Sequence, residues 1–143
     1  MKIYCNILAS YCSRVGYANF KLFEWILNCA SLESLVLRRF IPLYYIPNVH
    51  LPSLKNLELD ISFVNLDDIL SGCSVLENLK LAVHRGFPVE DIDKPFIHMP
   101  HSLKSLTFKE NHCHPALLRF NDIEHLEIDT PFLEYLNINL CTS

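Results

Sequence analysis

The chain has 143 residues, half of them hydrophobic, with 12 basic and 16 acidic side chains and a formal net charge of −4. Such a length is enough for one domain with a real core, and the apolar fraction excludes intrinsic disorder. Acidic and basic residues are interspersed, unlike the basic face of a nucleic-acid binder, and no run nears the ~18 apolar residues of a membrane span.

At the N-terminus, Ile3, Cys5 and Ile7 alternate with Lys2, Tyr4 and Asn6. Period-two alternation predicts a strand. Asn6 interrupts a short apolar run, so the stretch reads as a strand and not as a secretory leader. A turn is expected to end near Gly16. From Asn19, a capping residue, Phe20, Phe23, Ile26 and Leu27 share one helical face, and that helix is expected to end by Cys29.

The pattern L-x-x-L-x-L then recurs: Leu32, Leu35, Leu37; Leu54, Leu57, Leu59; Leu76, Leu79, Leu81; and, with phenylalanine last, Leu103, Leu106, Phe108. The first leucines are spaced by about 22, 22 and 27 residues, inside the ~20–29 expected for leucine-rich repeats. Pro42, Pro47 and Pro52 mark the loop before the second copy. Asn65 caps a short helix expected from Leu66 to about Ser71, with Asp67 and Asp68 in the first turn, where they suit the helix dipole. Pro88, Pro95 and Pro100 make 82–102 an expanded loop.

The end is compressed. Ile123, Leu126, Ile128 and Leu133, Leu136, Ile138 lie about ten residues apart, too close for two full repeats. The preferred assignment makes 123–129 a return strand on the convex side, Asp129-Thr130-Pro131 a turn and 134–139 the last concave strand.

Together these elements predict one α/β domain over 1–143, a leucine-rich-repeat solenoid of four to five irregular coils. Parallel strands line its concave side and short helices or loops its convex side. Its parts are an N-terminal strand and helix (1–31), regular repeats (32–81), a proline-containing loop (82–102) and C-terminal repeats (103–143). The last two leucines of each copy stand two apart on a strand and face inward. Their neighbours face outward and form the candidate protein-binding surface: Arg38; Asn56, Glu58 and Asp60; Asn78 and Lys80; Thr107 and Lys109; Tyr135 and Asn137, with Ser34, Val36, Ala82, Ser105 and Asn139 beside them.

Nothing points to catalysis, a cofactor or a metal. Cys29 and Cys73 each precede a first leucine by three residues, which reads as packing at a turn. Asn111-His112-Cys113-His114 has the ligand types for zinc but no second ligand pair, His98 and His101 being the nearest candidates, so it reads as a solvated turn before Pro115. No cysteine–histidine motif is recognisable. The adjacent carboxylates Asp67/Asp68 and Glu90/Asp91 suit capping and solvation, and three glycines make no phosphate loop. Six cysteines in a leucine-rich chain without a glycosylation acceptor suggest reduced thiols in cytoplasm or nucleus.

The chain resembles the repeat region of plant F-box/LRR proteins. The resemblance spans about 20–140 and rests on WILNCASLESLVL (25–37), LPSLKNLELD (51–60), LDDILSGCSVLENLKL (66–81) and LEIDTPFLEYLNI (126–138). It implies target recognition for a cullin–RING ubiquitin ligase. In that family an F-box binds a Skp-type adaptor, but nothing before Asn19 matches an F-box, so adaptor docking is expected only if one lies upstream. The family's C-terminal extension is not matched either. Two other readings stay open: a secreted or cell-surface recognition protein, which requires paired cysteines, and a gene fragment without stable function.

Overall fold

In the computed structural model, the structure describes residues 1–6, 24–38, 48–61, 66–85, 98–112 and 128–139. Six strands form one sheet: β1 (Lys2–Asn6), β2 (Ser34–Arg38), β3 (Asn56–Ile61), β4 (Asn78–Arg85), β5 (Ser105–His112) and β6 (Tyr135–Asn139). They lie side by side in chain order, and every neighbouring pair is parallel. A chain joining adjacent parallel strands must cross back behind the sheet each time. The architecture is therefore α/β, with a parallel sheet and little helix, compatible with a solenoid-like arrangement. Helical residues 24–27 and a helix α1 (Leu66–Ser71) lie in two of the connections.

The pairing places like residues in rows across the sheet. One row runs Ile3, Leu35, Leu57, Leu79, Leu106, Leu136, and another Cys5, Leu37, Leu59, Leu81, Phe108, Ile138. From β2 to β5 these leucines and Phe108 are buried. They pack with Ile26, Leu27, Leu51, Ile69, Leu70 and Met99 from the connections, and with the first leucines Leu32, Leu54, Leu76 and Leu103, into one core. Burying a leucine side chain contributes about 2 kcal/mol, so the repeat pattern supplies the main stabilising term.

One turn is used five times. Leu32, Leu54, Leu76, Leu103 and Leu133 each donate their N–H to the carbonyl three residues back, on Cys29, Leu51, Cys73, Pro100 and Thr130, at 3.1–3.4 Å. The next carbonyl along then ties one segment to its successor. Met1 O accepts from the N–H groups of Glu33 and Ser34, Glu33 O from Lys55 and Asn56, Lys55 O from Glu77 and Asn78, Glu77 O from Lys104 and Ser105, and Lys104 O from Glu134 and Tyr135. These bonds satisfy backbone groups ahead of each strand.

Several expectations need adjusting. β4 continues through Arg85, four residues into the segment expected to be loop, and β5 runs to His112, so Asn111 and His112 are strand residues and not part of a turn. The two longest strands lie beside each other and pair along their full length, from Asn78↔Ser105 to Arg85↔His112. Ile128 and Asp129, the described end of the expected return strand, are not in a strand. The rest of that stretch lies outside the described residues, as do Asn19, Phe20, Phe23, the Asn65 cap, the Gly16 turn, Glu90/Asp91 and Cys113-His114. As expected, β1 joins the sheet, α1 spans Leu66–Ser71, and the final strand carries Leu136 and Ile138.

Gly72 closes the turn after α1, and its carbonyl accepts the N–H of Leu51 at 2.9 Å. A β-carbon there would stand 2.7 Å from the carbonyl carbon of Val49, and closer still to its oxygen. That is backbone, which cannot move aside cheaply. Gly72→Ala should therefore lower stability by about 2 kcal/mol, read as a reduced urea midpoint with an unchanged slope. An unchanged midpoint would show that the two connections do not pack this closely.

Candidate functional site

Strand alternation sends the non-core side chains of β2–β6 to the opposite face. Arg38, Asn56, Glu58, Asp60, Asn78, Lys80, Thr107, Lys109, Tyr135 and Asn137 all lie there, and none of them is buried. The register brings them into rows: Ser34, Asn56, Asn78, Ser105, Tyr135; then Val36, Glu58, Lys80, Thr107, Asn137; then Asp60, Ala82, Lys109, Asn139. Residues 22 to 30 apart in the chain thus become neighbours on one continuous surface.

That surface carries its own polar contacts. Arg38 Nε donates to Glu58 Oε1 at 3.0 Å on the adjacent strand. Asn78 Nδ2 donates to Asn56 Oδ1 at 2.8 Å along the first row. Asn137 Nδ2 reaches the Tyr135 hydroxyl at 3.5 Å, two residues away on β6. Solvent weakens such pairs to about 1 kcal/mol or less each, so their main effect is to orient the groups they join. The charges divide. β2 and β3 carry Arg38, Glu58 and Asp60, whereas the outward residues with described side chains on β4–β6 include Lys80 and Lys109 and no carboxylate.

A second row runs one residue ahead of the strands. The residue after each first leucine is Glu33, Lys55, Glu77, Lys104 and Glu134, alternating in sign along the sheet. These are the residues whose carbonyls and N–H groups link successive segments. Lys104 Nζ lies 3.4 Å from Glu77 Oε2. The signal is plainly legible as E-K-E-K-E once the copies are aligned.

Three of the groups considered for chemistry, Asp67, His98 and Cys73, have structural partners. Asp67, expected only to complement the helix dipole, accepts the backbone N–H of His98 through Oδ1 at 2.9 Å, while its Oδ2 lies 3.4 Å from His98 Nδ1. It ties α1 to the segment leading into β5. Among the described residues no three His, Cys, Asp or Glu side chains gather as a metal-holding group. Cys29 and Cys73 are free thiols at equivalent turns. Cys73 is buried and donates to Ile69 O at 3.2 Å. At the same place stand Leu51, Pro100 and Thr130, and Thr130 Oγ1 is a buried oxygen without a hydrogen-bond partner among the described residues. The position selects residues that pack, whatever their chemistry.

No protein-family model matches the chain, and neither the characterised proteins nor the solved structures compared with it give a significant match. Among the described residues, no helix is long and apolar enough to cross a membrane.

Burial pushes the Cys73 thiol up to about 12 from its ordinary 9.0. The folded chain thus keeps a proton that the unfolded chain releases, so this group costs nothing below about pH 9 and weakens the fold as pH rises beyond it. Because the thiolate is the reactive form, alkylation of Cys73 at pH 8 should run on the order of a hundredfold slower in the native chain than in urea. Equal rates, read by peptide mass mapping, would show that Cys73 is open to solvent.

Proposed function

We propose that the chain is a short, irregular leucine-rich-repeat solenoid of four to five coils that binds a protein on its outer sheet face. On this reading it is a relative of the repeat region of F-box/LRR proteins and serves in target recognition. The observation that carries the proposal is the contrast between the two sides of each strand. The two inward rows that cross β2 to β6 hold only leucine, isoleucine or phenylalanine, as stacking requires. Outward places hold differing groups at fixed spacing, polar apart from Val36 and Ala82, which suits a surface set by its partner and not by the fold.

Recognition on this face rests on Lys80, Lys109, Thr107, Tyr135 and Asn137 at one end, where a target would bring carboxylates and hydrogen-bond acceptors. The oriented Arg38–Glu58 and Asn56–Asn78 pairs, with Asp60, set the other end. A ring with a polar tip, such as exposed Tyr135, is a common anchor in protein interfaces. The proposed chemistry is binding alone, with no catalytic residue, cofactor or metal, and with neither nucleic acid nor membrane as partner. A cytoplasmic or nuclear location goes with it, where thiols such as Cys29 and Cys73 stay reduced. A Skp-type adaptor enters only through an F-box, and adaptor docking is not assigned to any residue of this chain.

The test compares affinity capture by the wild type and by a Lys80→Glu/Lys109→Glu variant, using quantitative mass spectrometry of a plant lysate. Both lysines are exposed, so the variant should melt like the wild type. At least one captured protein should fall by about tenfold or more with the variant. Identical recovery by both chains would remove the face from the account.

A further inference from the structure

Two cations on the outer face of β4 and β5 stand apart from the pairs around them. Arg38 is joined to Glu58, and Lys104, just ahead of β5, lies beside Glu77. Lys80 and Lys109 are exposed and have no ion-pair partner among the described residues. Glu58 stands opposite Lys80 on β3, but its Oε1 accepts from Arg38 on the far side.

The register sets these lysines at opposite corners of a small square. Lys80 pairs with Thr107 and Ala82 with Lys109, all four on the outer face. The lysines hold one diagonal, and the short side chains of Ala82 and Thr107 hold the other. Diagonal neighbours on adjacent strands stand about 7–8 Å apart. Two long cationic stems thus rise over a low floor, with a hydroxyl donor between them. In an extended peptide, side chains two residues apart share a face and lie about 6.5–7 Å apart. That distance matches the lysine diagonal, whereas adjacent side chains of such a peptide point opposite ways. The patch is also bounded, because Glu58 and Asp60 on β3 put negative charge beside it. A long polyanion is disfavoured there.

We propose that this square binds an extended acidic segment of a partner protein, with two carboxylates spaced as acidic-x-acidic, one on Lys80 and one on Lys109. Thr107 donates to one of them across the floor that Ala82 leaves open. The proposal names the partner chemistry of the outer face and rests on the reading of that face as a protein-binding surface.

The probe is the peptide Gly-Ser-Glu-Thr-Glu-Ser-Gly, titrated at low salt into the isotope-labelled 143-residue chain and followed by amide shifts in NMR. Saturable shifts should centre on Lys80, Ala82, Thr107 and Lys109. Lys80→Ala and Lys109→Ala should each weaken binding by about fivefold. Ala82→Leu, which fills the floor without changing charge, should weaken it by about threefold or more. Lys55→Ala, at an exposed cation ahead of β3, should leave it unchanged. None of these places is buried, so the variants should keep the wild-type melting temperature. The isomer Gly-Ser-Glu-Glu-Thr-Ser-Gly should bind the wild type about threefold more weakly. Equal binding of the two isomers, an equal loss with Lys55→Ala, or no saturable shift would overturn the proposal. So would about tenfold tighter binding of a peptide with one phosphoserine in place of both glutamates, since the square would then suit a single phosphoryl group. If the peptide fails to bind while lysate capture still falls with Lys80→Glu/Lys109→Glu, the acidic segment alone is refuted. If capture is also unaffected, the protein-binding face falls with it.

Discussion

The fold depends on a carbonyl that accepts two N–H groups from the next segment, repeated from Met1 through Glu33, Lys55, Glu77 and Lys104. Each pair of bonds fixes where one strand begins relative to the last. Side chains on a strand alternate faces, so a slip of one residue would send a leucine row outward and a polar row inward. Register and core are therefore one constraint. The turn before each strand holds the carbonyl in place, and Leu32, Leu54, Leu76, Leu103 and Leu133 hold the turn. The charge row at the same positions reinforces the order, since a neighbour of like sign would be disfavoured.

From this constraint the two faces follow. The core side is uniform because every row must pack against the rows beside it, and a cavity left by a missing leucine would cost several kcal/mol. The outer side is released from that demand. Its residues meet one another in exposed pairs such as Arg38–Glu58, which contribute little to stability. A surface whose composition the fold does not dictate is available for recognition, and specific recognition must be argued from its residues, not from the sheet beneath.

Much of this was legible in the sequence because it depends on local periodicity. The leucine spacing located β2 to β6 and singled out Leu133, Leu136 and Ile138 over Ile123, Leu126 and Ile128 for the last strand. Asn65 as a capping residue, with Asp67 and Asp68 following it, located α1. The lengths of β4 and β5 were not legible. Ala82-Val83-His84-Arg85 carries no leucine signal, and the strand persists there because the neighbouring strand pairs with it. The tie between Asp67 and His98 joins residues thirty-one apart through a side chain and a backbone N–H, which no pattern announces. The alternating charge row was readable, but it sits one residue ahead of the strands, outside the positions that alternation draws attention to.

Scalar couplings transmitted across hydrogen bonds, measured by NMR on the isotope-labelled chain, test the central constraint directly. The amides of Asn56, Asn78, Ser105 and Tyr135 should couple to the carbonyls of Glu33, Lys55, Glu77 and Lys104 respectively. Couplings to carbonyls one or two residues away, or to segments out of chain order, would contradict the register on which the core and the outer face both depend.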